Sequence, residues 1–167
     1  MSANTEMDQG RRTDAGSGAP SKQTIIADAD GQIAGRLCTK VSKLLLDGNK
    51  VIIVNAEKAL ISGSRKSILQ EKQDWLQIAS ITHPKHGPFH PRRPDGIITR
   101  MVRGMLPRRK SRGIEAKRRL RVYISIPTEF SKMKMINFEE ARARKAMSYY
   151  LTIAEVASSM GWRNDIN

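Results

Sequence analysis

Val51-Ile52-Ile53-Val54 is apolar at every position, and every side chain is β-branched. Successive strand residues point to opposite faces, so such a run needs cover on both sides. That places it inside a parallel α/β sheet. Downstream, Asn55-Ala56-Glu57-Lys58 ends the strand, and Ala59-Leu60-Ile61 is a candidate for a further short strand. Ser62-Gly63-Ser64 opens a helix, with Ser64 or Ser67 as N-cap candidates. Ile68, Leu69, Trp75, Leu76 and Ala79 give that helix an apolar face.

Upstream, Ile33, Leu37, Val41, Leu44 and Leu45 recur at helical spacing. Arg36, Lys40 and Lys43 fall on the opposite, solvated side, and Gly48 suits the position just past the helix end. Before it, Thr24-Ile25-Ile26-Ala27 predicts a short strand, and Asp28-Ala29-Asp30-Gly31 a turn. Residues 1–22 are rich in Ser, Gly and Asp and nearly free of apolar residues. They are expected to be disordered or ordered by a partner. Residues 23–167 are expected to form a single domain.

Beyond the second helix, His83 to Pro94 holds four prolines and no periodicity, which predicts an extended loop. Ile97 to Met105 is a short helix candidate, stopped by Pro107. Lys110 to Arg119 is another, anchored by Ile114, Ala116 and Leu120. Leu120 to Pro127 alternates and reads as the last core strand. Residues 128–148 mix Met, Lys and Glu. They predict a loosely packed excursion with a helix candidate from Phe138 to Met147. Thr152-Ile153-Ala154-Glu155 matches a capping box for a short terminal helix, with Gly161 as its stop and Trp162 as its anchor.

The totals narrow the function. Thirty Lys and Arg against sixteen Asp and Glu give a formal charge of +14. That excess favours nucleic acid or an anionic membrane as partner. No apolar run is long enough to span a bilayer, and no apolar signal core stands at the N-terminus. The single Cys38 excludes an internal disulfide and reads as a small buried hydrophobe. Eight aromatic residues are few for a base-stacking sheet face.

The charge is concentrated. Arg92 to Arg121 holds twelve Lys and Arg against Asp95 and Glu115. Ten of the twelve are arginine, whose planar fork matches phosphate oxygens. Interspersed apolar residues, Met101, Val102, Met105 and Leu106, would fix the base of this segment. Pro107, Gly104 and Gly113 would bend it.

Other constellations are weaker. His83, His86 and His90 are candidate metal ligands, but no thiol joins them and three prolines break their spacing. A phosphate- or base-contacting loop is preferred. Asp28, Asp30 and Glu57 lie near predicted strand ends and are acid/base or metal candidates. Turn formation and ion pairing explain them more simply. The glycines match no nucleotide-binding fingerprint.

At Asp28-Ala29-Asp30-Gly31, Val54-Asn55-Ala56-Glu57-Lys58, Arg103-Gly104-Met105-Leu106-Pro107 and Leu120-Arg121-Val122-Tyr123, the chain resembles the large-subunit ribosomal protein thirteen family, in its archaeal and eukaryotic form. The motifs run in the family's order across about residues 24–127. The terminal segment from Leu151-Thr152 to Gly161-Trp162 also looks archaeal. The resemblance implies a three-layer α/β fold around a four-stranded parallel sheet, with a basic RNA-binding extension (about 83–121) and a C-terminal helix. It implies a cytoplasmic ribosomal component that binds large-subunit ribosomal RNA and neighbouring ribosomal proteins. It implies no catalysis, metal, cofactor, membrane or small-molecule substrate. By position, RNA contacts would fall on Lys85, His86, Phe89, Arg92, Arg93, Arg100, Arg103, Arg108, Arg109, Lys110, Arg112, Lys117, Arg118 and Arg119. Two alternatives stand beside this reading. One is an RNA-modifying or nucleotide-dependent α/β enzyme using Asp28, Asp30 and Glu57. The other is a regulatory RNA-binding protein outside the ribosome.

Overall fold

The computed structural model describes residues 23–163. The expected tail at 1–22 lies outside them. In chain order the elements begin with β1 (Thr24–Asp28), α1 (Ala34–Leu46), β2 (Lys50–Val54), β3 (Leu60–Ser62) and α2 (Arg65–Gln77). They continue with α3 (Pro94–Met105), α4 (Ser111–Arg118), β4 (Leu120–Val122), β5 (Met135–Ile136), β6 (Tyr150–Thr152) and α5 (Ile153–Ser159).

Four strands form one sheet in the order β4-β2-β1-β5, and every pairing is parallel. The register sets Ile25 beside Val51, Val51 beside Leu120, and Ile26 beside Met135. Val51 to Val54 are all buried, as a two-sided apolar strand requires. On one face, Val51, Ile53 and Ala27 meet Leu37, Val41 and Leu45 of α1, Ile98 and Val102 of α3, and Ala116 of α4. On the other, Ile26, Ile52 and Val54 are covered by Phe130 and Met135. Full burial of each Ile, Leu or Val contributes about 1.5–3 kcal/mol. The sheet is therefore held chiefly by its two middle strands.

Helix α1 ends as its sequence predicts. Asp47 caps it, and Gly48 follows at φ 101°, donating its amide to the Leu45 carbonyl. At the other end of the domain, Thr152 caps α5, its hydroxyl accepting from the Glu155 amide at 3.3 Å. Gly161 at φ 93° follows the end of α5. Met160 is the buried anchor there, while Trp162 is only half-buried. α2 lays Ile68, Leu69, Trp75 and Leu76 against Leu151, Val156 and Met160. Ala79 lies beyond the end of α2 and is exposed.

The further short strand expected at Ala59-Leu60-Ile61 forms as β3, which pairs antiparallel with β6 outside the main sheet, Leu60 opposite Thr152. Two expectations change. β4 stops at Val122, well short of Pro127, and it is not the last core strand. That place belongs to β5, whose two residues are too few to show a period. The candidate helix from Phe138 to Met147 is not formed. Short 3₁₀ turns at Glu139–Ala141 and Met147–Tyr149 replace it. The reason is that this backbone bonds across the chain rather than along itself. Ile33 donates to the Ala141 carbonyl at 2.8 Å, Ala143 donates to Gly31 at 3.1 Å, and Gln32 bridges Arg142.

Candidate nucleic-acid interface

The basic segment is built on two helices and a turn. α3 starts at Pro94, earlier than the expected Ile97, because proline fits the first helical position and Asp95 follows in the first turn. Ile98 and Val102 are fully buried, so Arg100 and Arg103 stand on the outer side. Leu106 is buried just past the helix end. Met105 is half outside, with the Thr39 hydroxyl 3.7 Å from its sulfur.

The chain then turns through Pro107 to Lys110, whose amide donates to the Pro107 carbonyl at 3.2 Å. α4 returns immediately. Its buried positions are Gly113 and Ala116, two small residues one turn apart. Ile114, expected as an anchor, is exposed, because so short a helix presents only this narrow small-residue stripe to α1. Gly104 sits inside α3 with open space at its Cα, so it bends nothing.

The arginines divide into two groups. One group serves the fold. Arg119 donates to the Leu45 carbonyl at 2.8 Å and Arg112 to the Leu46 carbonyl at 3.1 Å. These are last-turn carbonyls of α1, which have no partner within the helix and carry the negative end of its dipole. Arg100 donates to the Phe89 carbonyl and stands over the Trp75 ring, 4.9 Å from its centroid. Arg93 pairs with Asp95 at 3.3 Å.

The other group faces outward. Arg103, Arg108, Arg109 and Lys110 surround Pro107 and line a shallow groove. Lys117 and Arg118 extend that surface along α4. None of these six makes an ion pair among the described residues. Arg92 is also exposed, as are Lys85 and His86 in the 3₁₀ turn Pro84–His86. Phe89 stands 81% exposed on the same loop.

The histidines separate. The His83 and His86 rings lie edge-on at 6.0 Å. His90 instead meets Trp75, with centroids 4.2 Å apart, and its Nε2 lies 2.8 Å from the Ile78 carbonyl oxygen. Among the described residues no group of three or more His, Cys, Asp or Glu is placed to hold a metal ion. Asp28 is committed to structure, its Oδ1 accepting from Asn55 Nδ2 at 2.8 Å and from the Asp30 amide at 3.0 Å. Asp30 lies 4.0 Å from Lys58, and Glu57 sits in the turn Ala56–Lys58.

The family model described as ribosomal protein L13 matches residues 22–129, which include every strand of the main sheet but β5 and the whole basic segment. The chain belongs to the ribosomal protein L13 family.

Relatives agree over a longer span. A protein named large ribosomal subunit protein uL13 from Methanosarcina barkeri is 44% identical over 138 residues, covering 81% of this chain and 96% of its own. The corresponding proteins of Methanococcoides burtonii and Methanopyrus kandleri are 42% and 41% identical, covering 96% and 90% of their lengths. Within this L13-family chain the two most telling runs do different work. Val54 to Lys58 closes β2 through Asn55, which holds left-handed backbone at φ 55° and bonds to Asp28. Arg103 to Pro107 ends α3 and begins the basic turn. The inward role of Arg112 and Arg119 left no trace in the sequence, since a helix-capping arginine and a phosphate-facing one look alike there.

Proposed function

We propose that this L13-family chain is a non-catalytic structural component of the cytoplasmic large ribosomal subunit. It holds folded large-subunit ribosomal RNA and meets neighbouring ribosomal proteins. Residues 23–167 act as one domain, and 83–121 form its basic insertion. The observation that carries this reading is the outward cluster of Arg103, Arg108, Arg109 and Lys110 around Pro107, exposed and without ion pairs among the described residues. Cations held that close repel one another unless a dense anion answers them. A polyphosphate backbone does so, and guanidinium forks bind its oxygens in pairs.

Arg92, Lys117 and Arg118 widen the same contact, and Arg93, exposed though paired with Asp95, adds its free guanidinium edge. Lys85, His86 and Phe89 meet a groove or an unpaired base. Arg100, Arg112 and Arg119 contribute mainly by holding Phe89 and α1 in place. Phosphate contacts of this kind orient a protein on folded RNA without reading its sequence. No cofactor or small-molecule substrate takes part.

The test is binding to a large-subunit ribosomal RNA fragment across a salt series, for the unaltered chain and for Arg108→Ala/Arg109→Ala. Two lost phosphate contacts lower the slope of log affinity against log salt by roughly 1.4–1.8. An unchanged affinity and slope would overturn the proposal.

A further inference from the structure

We infer that the opposite edge of the sheet carries a second RNA-contact surface, formed by the loop Arg142–Lys145 with Tyr149, so that one chain ties together two separate RNA segments. This rests on the ribosomal RNA reading above.

Residues 128–148 play no part in the contact proposed so far. The strand order β4-β2-β1-β5 puts α4 and β4 at one edge and the 132–145 segment at the other. Three inter-strand spacings separate the edges, roughly 14 Å of backbone. α1 lies between them, touching α4 on one side and the Glu139–Ala141 turn on the other.

The far loop is held firmly. Ala143 donates its amide to Gly31, and Arg142 bridges Gln32. The Arg144 and Lys145 amides both donate to the Tyr150 hydroxyl, at 3.3 and 3.2 Å. Below them, Arg36 reaches the Glu140 carbonyl, and Lys40 pairs with the Glu140 carboxylate at 2.5 Å. That hydrogen bond and charge hold the Glu140 carboxyl below its ordinary range. Two acids stand in the adjoining turn: Glu140 is already answered by Lys40, and Glu139 is exposed without an ion pair among the described residues, one negative charge beside the loop's three cations.

The charged side chains of the loop itself are all cationic. Arg142, Arg144 and Lys145 are exposed and make no ion pair among the described residues. Tyr149 is 59% exposed, with the Lys145 ammonium 5.6 Å from its ring centroid. A cation and an exposed ring on a fixed backbone suit a phosphate and the unpaired base beside it. An acidic protein would answer the charge but gives no reason for the ring. RNA uses both.

Crosslinking separates the possibilities. p-Benzoylphenylalanine replaces Tyr149 in one chain and Arg109 in another, and each chain is assembled into large subunits and irradiated. The expected result is crosslinks to two different ribosomal RNA segments. Crosslinks from 149 to protein alone, or to none, while 109 reaches RNA, would overturn this inference and leave the first reading standing. No RNA crosslink from either position would overturn both. In parallel, Arg144→Ala/Lys145→Ala should lower the salt slope for full-length large-subunit RNA by about 1.4, at about 0.7 per lost single-strand contact. An unchanged slope in that variant, where Arg108→Ala/Arg109→Ala changes it, would also count against the second surface.

Discussion

A Cβ placed on Gly113 would lie 2.1 Å from the Pro107 carbonyl oxygen. No side chain fits there, so the first turn of α4 sits directly against the start of the basic turn. Gly113→Ala must push backbone aside. Overpacking costs about 1–3 kcal/mol, which outweighs the better helix propensity of alanine. Thermal unfolding of Gly113→Ala should show a clearly lowered midpoint.

Gly104→Ala should do the opposite. It lies in the α3 interior, exposed, with nothing within 4 Å of an added Cβ. Alanine there stabilises by about 0.5–1 kcal/mol. A midpoint that falls in both variants would show that the two glycines share one role after all.

The division of the arginines gives a crossed pair of outcomes. Arg119→Ala takes the charged donor from the Leu45 carbonyl of α1, which keeps its backbone donor Gly48, and should cost about 1 kcal/mol, with little change in the salt slope of RNA binding. Arg108→Ala should change the slope and leave stability nearly unaltered. Denaturant titration and a salt series on both variants check the pattern.

Asn55→Ala removes two things together. The residue holds φ 55°, where a Cβ is strained unless the side chain compensates, and its amide donates to Asp28 at 2.8 Å. Losing this part-buried bond to a carboxylate costs about 1.5–3 kcal/mol. Asn55→Gly keeps the backbone at ease and should lose less than Asn55→Ala. Urea unfolding of the two variants, read as midpoints, tests the order.

Burial pushes the Cys38 thiol from 9.0 up to about 12. Below pH 9 the thiol is neutral folded or unfolded and has no effect. Between pH 9 and 12 the unfolded thiol ionises while the folded one does not, so stability falls as pH rises, by up to about 1.4 kcal/mol per unit. The difference in stability between the unaltered chain and Cys38→Ala should narrow over that window. Alkylating reagents should leave the native thiol untouched at neutral pH.

Much of the scaffold was legible because it obeys strong local rules. Val51 to Val54 could only be an interior strand, and Thr152 to Glu155 could only open a helix. The elements that escaped are those whose conformation is set by distant partners. Met135–Ile136 is a strand only because β1 offers it an edge. Arg142 to Lys145 stays out of a helix because Gly31, Gln32 and Tyr150 take its backbone groups. At the interface, the density of arginine was plain in the sequence. Which arginines turn inward to α1 was not, since that depends on where two carbonyls end up in space.

The sheet order has one more consequence. β5 is the last strand of the main sheet to leave the peptide exit tunnel, yet it must seat beside the first. Synthesis runs from the N-terminus at about 5–20 residues per second. Until Phe130 and Met135 emerge, Ile26, Ile52 and Val54 lack their apolar cover while the arginine turn is already out. The nascent chain therefore carries a bare greasy face and unanswered cations together, the combination most prone to clumping. Two residues, Met135 and Ile136, act as the latch that ends this exposure.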